Sequence, residues 1–129
     1  MVGLVIVSHS ASLARGIKEL ASQMAPKVPM AAVGGTSDGR LGTDANLIKQ
    51  AIEQLAHCNG VLVLMDLGSA VLSTETALEY MPLEIEDKVQ LADGPVVEGA
   101  VAAAVESSLG KPLAAVKAAA EAAAALKKL

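Results

Sequence analysis

Unbroken apolar runs alternate with helical spacings along this chain. Leu4-Val5-Ile6-Val7 is the pattern of a strand buried on both faces, and it predicts a first strand over Val2–Val7. Leu13, Ile17, Leu20 and Met24 follow at helical intervals. They predict a helix from Ser10 or Ala11 to Ala25, closed by Pro26 and Pro29. Met30–Val33 is a second short apolar run and a second expected strand. It passes into Gly34-Gly35-Thr36-Ser37-Asp38-Gly39-Arg40-Leu41-Gly42, whose four glycines mark a loop at a strand's carboxyl end. Thr43 or Asp44 then caps a second helix with apolar positions Ala45, Ile48, Ile52 and Leu55, ended by Asn59-Gly60.

Val61-Leu62-Val63-Leu64-Met65 predicts a third strand, again covered on both faces. It ends in Asp66-Leu67-Gly68-Ser69, and a third helix is expected over Ala70–Tyr80, stopped by Pro82. Lys88–Ala92 reads as a shorter fourth strand. Asp93-Gly94-Pro95 opens a helix over Val96–Ser108, with Gly110 at its end. Pro112 opens a last, alanine-rich helix over Leu113–Lys127, where Lys127-Lys128 suits a helix carboxyl end. This alternation predicts an α/β fold, an open and mainly parallel sheet with helices on both faces. It also predicts one domain spanning residues 1–129, with no linker long enough to divide it. Parallel strands align their carboxyl ends, so Ser8-His9-Ser10, the glycine loop and Asp66-Leu67-Gly68-Ser69 fall on one edge, where open α/β sheets bind ligands.

Composition narrows the function classes. Hydrophobic residues make up 53% of the 129, enough for a real core and too many for disorder. With one Tyr and no Phe or Trp, the core is built from aliphatic residues, and base-stacking platforms are missing. A net charge of −4 argues further against a nucleic-acid partner. The single cysteine, Cys58, excludes a disulfide framework and favours a reducing compartment. No basic segment precedes the first apolar run, and no apolar run approaches the roughly 20 residues of a membrane span. The expectation is a cytoplasmic protein without a membrane partner.

The candidate chemistry centres on His9 and Asp66. A carboxylate that accepts a bond from one ring nitrogen fixes the imidazole tautomer and frees the other nitrogen. The result is a general base, or a nucleophile if the histidine attacks phosphorus itself. Hydroxyls of Ser8 and Ser10, with free N–H groups at the next helix start, would cradle an anion. Two plainer readings stand beside this one: His9 as a loop-filling cap, and Asp66 as a simple helix N-terminal anion. The loop Gly34–Gly42 lacks the Gly-Lys-Ser/Thr ending of a nucleotide P-loop. It reads as a turn needing positive φ angles, or as a rim over His9. Thr43 reads first as a helix cap, Arg40 as a solvated loop residue, and His57-Cys58 as structural, with no metal ligand set around them. Ser8 lacks the Gly-x-Ser-x-Gly elbow of a serine nucleophile.

Four stretches carry a resemblance to a known family. They are Val5-Ile6-Val7-Ser8-His9-Ser10, Gly42-Thr43-Asp44-Ala45, Leu64-Met65-Asp66-Leu67-Gly68-Ser69-Ala70 and Pro95-Val96-Val97-Glu98-Gly99-Ala100. Together, over nearly the whole chain to Gly110, they resemble the DhaM phosphotransferase subunits of dihydroxyacetone kinases, within the mannose-type enzyme IIA family of the phosphotransferase system. The resemblance implies that His9 carries phosphate as a phosphohistidine, received from HPr and passed to ADP held on the DhaL subunit. DhaL with DhaK would then phosphorylate dihydroxyacetone. Asp66 would orient the imidazole, and Ser8, Ser10, Gly35, Thr43, Gly68 and Ser69 would lie around the phosphate. ADP and magnesium would belong to the partner, leaving this chain without a cofactor or metal of its own. A homodimer is the family's usual state. Some relatives add HPr-like and enzyme I-like domains, so the chain of 129 residues is expected to be a single-domain form that relies on a separate HPr. Two alternatives stand beside it: an enzyme IIA component that passes phosphate to a IIB domain of a sugar transporter, and a regulatory module that binds an anion and transfers nothing.

Overall fold

Every residue of the first strand, β1 (Val2–Ser8), is buried, as its unbroken apolar run requires. In a computed structural model covering residues 1–129, the remaining elements follow in alternation. They are α1 (Ala11–Met24), β2 (Met30–Gly34), α2 (Ala45–Gln54), β3 (Gly60–Met65), α3 (Gly68–Glu79), α4 (Leu83–Glu86), β4 (Val89–Ala92), α5 (Val96–Ser108) and α6 (Leu113–Ala122). The four strands form one sheet in the order β2-β1-β3-β4. All pairings are parallel, with Ser8 opposite Gly34 and Val7 opposite Met65. The α/β class, the parallel sheet and the helices on both faces are therefore as the hydrophobic pattern predicts.

The alternation of side chains along each strand divides the core into two layers. Leu4, Ile6, Leu62 and Leu64 point to the layer of α1, α5 and α6. Val5, Val7, Val61 and Val63 point to the layer of α2 and α3. The chain leaves β1 through α1 to one neighbour, β2, and returns through α2 to the other, β3. The order thus reverses between β1 and β3, and that is where the crevice of an open α/β sheet lies. His9 follows β1 and Asp66 follows β3.

The structure adds two details to the expected elements and corrects one expectation. The stripe Leu13, Ile17, Leu20 and Met24 is not the buried face of α1. Leu13, Leu20 and Met24 are 45%, 50% and 60% exposed, and the helix buries Ala14, Ile17 and Ala21 instead. Small side chains let α1 lie close to the sheet and to α5, so the contact follows the alanines rather than the largest apolar residues. A one-turn helix, α4, follows Pro82, which caps it as well as ending the region after α3. The last helix stops at Ala122, passes through a 3₁₀ turn over Ala123–Ala125 and is non-helical by Leu126. Lys128 is therefore not a helix-end cation. It folds back 2.8 Å from Glu98 in the first turn of α5, and the two charges shift each other toward their ionised forms.

Candidate functional site

The end of β1 is shaped by a close approach. A Cβ on Gly34 would stand 2.6 Å from the Ser10 carbonyl oxygen and 2.8 Å from that of Ser8, so only glycine lets β2 run against the Ser8-His9-Ser10 turn. Ser10 then caps α1, its hydroxyl accepting from the Leu13 N–H at 3.2 Å. At the far side of the loop, Gly42 adopts φ +144°, and its N–H donates to the His9 carbonyl at 2.8 Å. His9 is thus gripped on its main chain by the glycine loop and on its ring by β3 and α3.

Asp66 is the hub. Its Oδ1 accepts from His9 Nδ1 at 2.9 Å and from the Leu67 N–H at 2.7 Å. Its Oδ2 accepts from the Ser8 hydroxyl at 2.8 Å and from the His9 N–H at 3.0 Å. Burial pushes this carboxyl up, but the bonds from the His9 N–H, the His9 ring, Ser8 and Leu67 outweigh it and hold Asp66 below its ordinary value. An ionised carboxylate accepts only, so His9 Nδ1 is the donor and carries the proton. The remaining nitrogen, Nε2, presents its lone pair to the Ser69 hydroxyl, which donates to it. The imidazole is 26% exposed, against 9% for the Asp66 side chain. The pair thus offers one reachable nucleophilic nitrogen on a buried, charged support.

Ser69 stands in the first turn of α3, which begins at Gly68 and has no side-chain cap. The positive end of that helix faces the Nε2 side of the ring, an arrangement that favours a group carrying negative charge there. An imidazole with a fixed Nδ1 proton, a free Nε2 and anion-favouring donors beside it can take up and release a phosphoryl group.

The other residues singled out in the sequence fall at varying distances from this centre. Ser8 is fully buried, and its hydroxyl is committed to Asp66 while accepting from the Ser10 N–H at 3.0 Å. It supports the carboxylate rather than lining the exposed side of the ring. The Ser10 hydroxyl is occupied as the α1 cap. Asp44, not Thr43, caps α2, accepting from the N–H groups of Asn46 and Leu47. The Thr43 hydroxyl instead lies 2.6 Å from that of Ser73 on α3. Gly35 sits in the loop at φ +76°, and Arg40 pairs with Asp38 at 2.9 Å, both exposed. Ser73 was missed; its only sequence signal is its place one helical turn after Ser69. His57 and Cys58 lie at the opposite end of the sheet, before β3.

Comparison with known proteins places this geometry in context. Residues 3–117 match the family model EIIA-man, described as the PTS system fructose IIA component. A relative from Escherichia coli K12, the phosphoryl donor subunit DhaM of PEP-dependent dihydroxyacetone kinase, is 48% identical over 85% of this chain. The match spans 24% of that protein's length. The DhaM of the second such kinase in Listeria innocua is 42% identical over 83% of this chain and 86% of its own length. The crystal structure of EF1359, a protein of unknown function, superposes with a TM-score of 0.84 at 37% identity, over 93% of this chain and 92% of its own. The phosphotransferase component EIIA of Streptococcus agalactiae shares the fold, with a TM-score of 0.70 at 16% identity over 97% of this chain and 93% of its own.

Proposed function

This chain belongs to the family of PTS system fructose IIA components, and on that premise we propose that it is the phosphohistidine carrier of a PEP-dependent dihydroxyacetone kinase. The observation that carries the reading is the bond from His9 Nδ1 to Asp66, which leaves Nε2 as the attacking nitrogen beside Ser69. The relatives named as phosphoryl donor subunits support the choice of kinase over sugar transporter.

The chemistry is two displacements at phosphorus. The Nε2 lone pair of His9 attacks the phosphoryl group of phospho-HPr. The new N–P bond forms as the donor's N–P bond breaks, and the donor imidazole keeps the bonding pair. Positive charge develops on the His9 ring while Nδ1 keeps its proton, and the Asp66 carboxylate balances it. Ser69 and the Gly68 N–H at the start of α3 hold the phosphoryl oxygens. In the second displacement a terminal oxygen of ADP on the DhaL subunit attacks phosphorus, and the electrons of the breaking bond return to Nε2. The ATP so formed stays on DhaL, which with DhaK phosphorylates dihydroxyacetone. ADP and magnesium belong to the partner, and this chain holds no cofactor. Positioning and charge balance supply most of the catalysis in such transfers.

No helix is long and apolar enough to cross a membrane. A relay between soluble proteins is a cytoplasmic task, carried out here by a homodimer as in the family at large. Intact mass after incubation with phosphoenolpyruvate, enzyme I and HPr tests the carrier step. One acid-labile phosphate is expected on the native chain, and it discharges when DhaK–DhaL with ADP and dihydroxyacetone is added. Absence of added mass, with the donor proteins active on another acceptor, would overturn the reading. Discharge only to a IIB domain would move the chain to the sugar branch.

A further inference from the structure

The start of α3 is a demanding element to hold in place. It buries only Ala70, Thr74 and Ala77, packs chiefly on α2 and has no side-chain cap. Yet its first turn carries Ser69, which must meet His9 Nε2 at a set distance. One side-chain hydrogen bond joins α3 to the segment between β2 and α2, the 2.6 Å contact of Ser73 with Thr43. Both residues are half-buried. Ser73 stands one turn after Ser69 on the same side of the helix. Thr43 directly follows Gly42, whose N–H holds the His9 carbonyl. Two consecutive residues thus tie one loop to the histidine main chain and to the helix that faces its ring.

We propose that Thr43 and Ser73 are positioning residues for phosphoryl transfer, a latch that fixes the start of α3 against His9. The inference rests on the carrier reading above. Neither hydroxyl touches the His9 ring, so their effect travels through Ser69 and the α3 N-terminus. Transfer at phosphorus tolerates little displacement of the group that receives the oxygens, so a loosened α3 slows the chemical step rather than donor docking.

The experiment measures labelling of the full chain by radioactive phospho-HPr over a range of donor concentrations. Native protein is compared with Thr43→Val, Ser73→Ala, the double variant and Thr43→Ser, each first shown by circular dichroism to be folded at the assay temperature. Thr43→Val and Ser73→Ala are expected to lower the maximal rate about two- to tenfold, the range for loss of one neutral hydrogen bond, with KM for the donor unchanged. The double variant matches the slower single variant, because both remove the same bond. Thr43→Ser, which keeps the hydroxyl, stays near the native rate. Native-like maximal rates in both single variants, or a change confined to KM, would overturn the latch and leave the carrier reading intact. A native chain that takes no label overturns the carrier reading itself.

Discussion

Two histidines stand at opposite ends of the same sheet and have almost nothing else in common. His9 follows the carboxyl end of β1, with Nδ1 held by Asp66 at 2.9 Å and Nε2 facing Ser69. His57 lies in the turn before β3, exposed, with Nε2 3.8 Å from the Sγ of its neighbour Cys58 and no carboxylate bonded to either nitrogen. Burial pushes the Cys58 thiol up, which keeps that sulfur in its neutral, unreactive form. The difference shows that histidine is not the signal. A reactive imidazole needs an acceptor that fixes one nitrogen, donors that receive the incoming group, and the edge of the sheet where strand ends and helix starts meet. The sharpest test replaces each in turn. His9→Ala is expected to abolish acid-labile phosphate on the chain, while His57→Ala accepts it in full, read by intact mass with phospho-HPr. Phosphate retained by His9→Ala would erase the contrast.

The next effects come from the groups His57 lacks. In Asp66→Asn, an amide NH₂ must face either the Ser8 and His9 N–H pair or the His9 Nδ1 and Leu67 pair, donor against donor. One side of the support is lost in both orientations, and the rate of phosphate uptake is expected to fall about 10²–10⁴-fold. Pre-steady-state labelling measures it, and a loss below tenfold would reduce Asp66 to the role of a helix-end anion. On the carrier reading, Ser69→Ala removes one donor to the phosphoryl oxygens and leaves the tautomer fixed. Its expected cost is about ten- to a hundredfold in rate, the size of one hydrogen bond to a charged group.

Much of this contrast was legible in the chain. Unbroken apolar runs placed β1, β2 and β3, whereas β4 carries the exposed Gln90 and is no such run; the strand ends brought His9 and Asp66 to one edge. What periodicity does not carry is the direction of small side chains. Ala14 and Ala21 look neutral in a pattern dominated by Leu13, Leu20 and Met24, yet close packing on the sheet selects the alanines. Likewise Ser8 reads as a phosphate ligand from its place beside His9, but strand alternation turns its hydroxyl inward to Asp66. Thr43 reads as a cap because capping is local; its bond to Ser73 spans 30 residues and follows only from how α2 packs on α3. The last helix stops early at Ala122 and its tail returns to Glu98, another contact that helix propensity does not encode.

The smallest effect separates the two ends of the sheet by pH. Burial raises the Asp66 carboxyl, the donated bonds from His9, Ser8 and Leu67 lower it, and the net position is below the ordinary value. A folded-state value below the unfolded one means that the folded chain binds fewer protons across the interval between them. The resulting stabilisation is complete above the unfolded value, about 4 for aspartate, and is lost as pH falls through the folded value. The difference in unfolding free energy between native protein and Asp66→Asn is therefore expected to narrow as pH falls below about 4. Ser8→Ala removes one of the lowering bonds, so the Asp66 carboxyl titrates nearer the ordinary range, and the narrowing is smaller and ends at a higher pH. Urea unfolding at a series of pH values reads both curves, and carbon-13 titration of the Asp66 carboxyl reads the shift directly. Coincident curves for native and Ser8→Ala proteins would mean that the serine hydroxyl adds nothing to the support. The contrast with His57 would then rest on the His9 and Leu67 bonds alone.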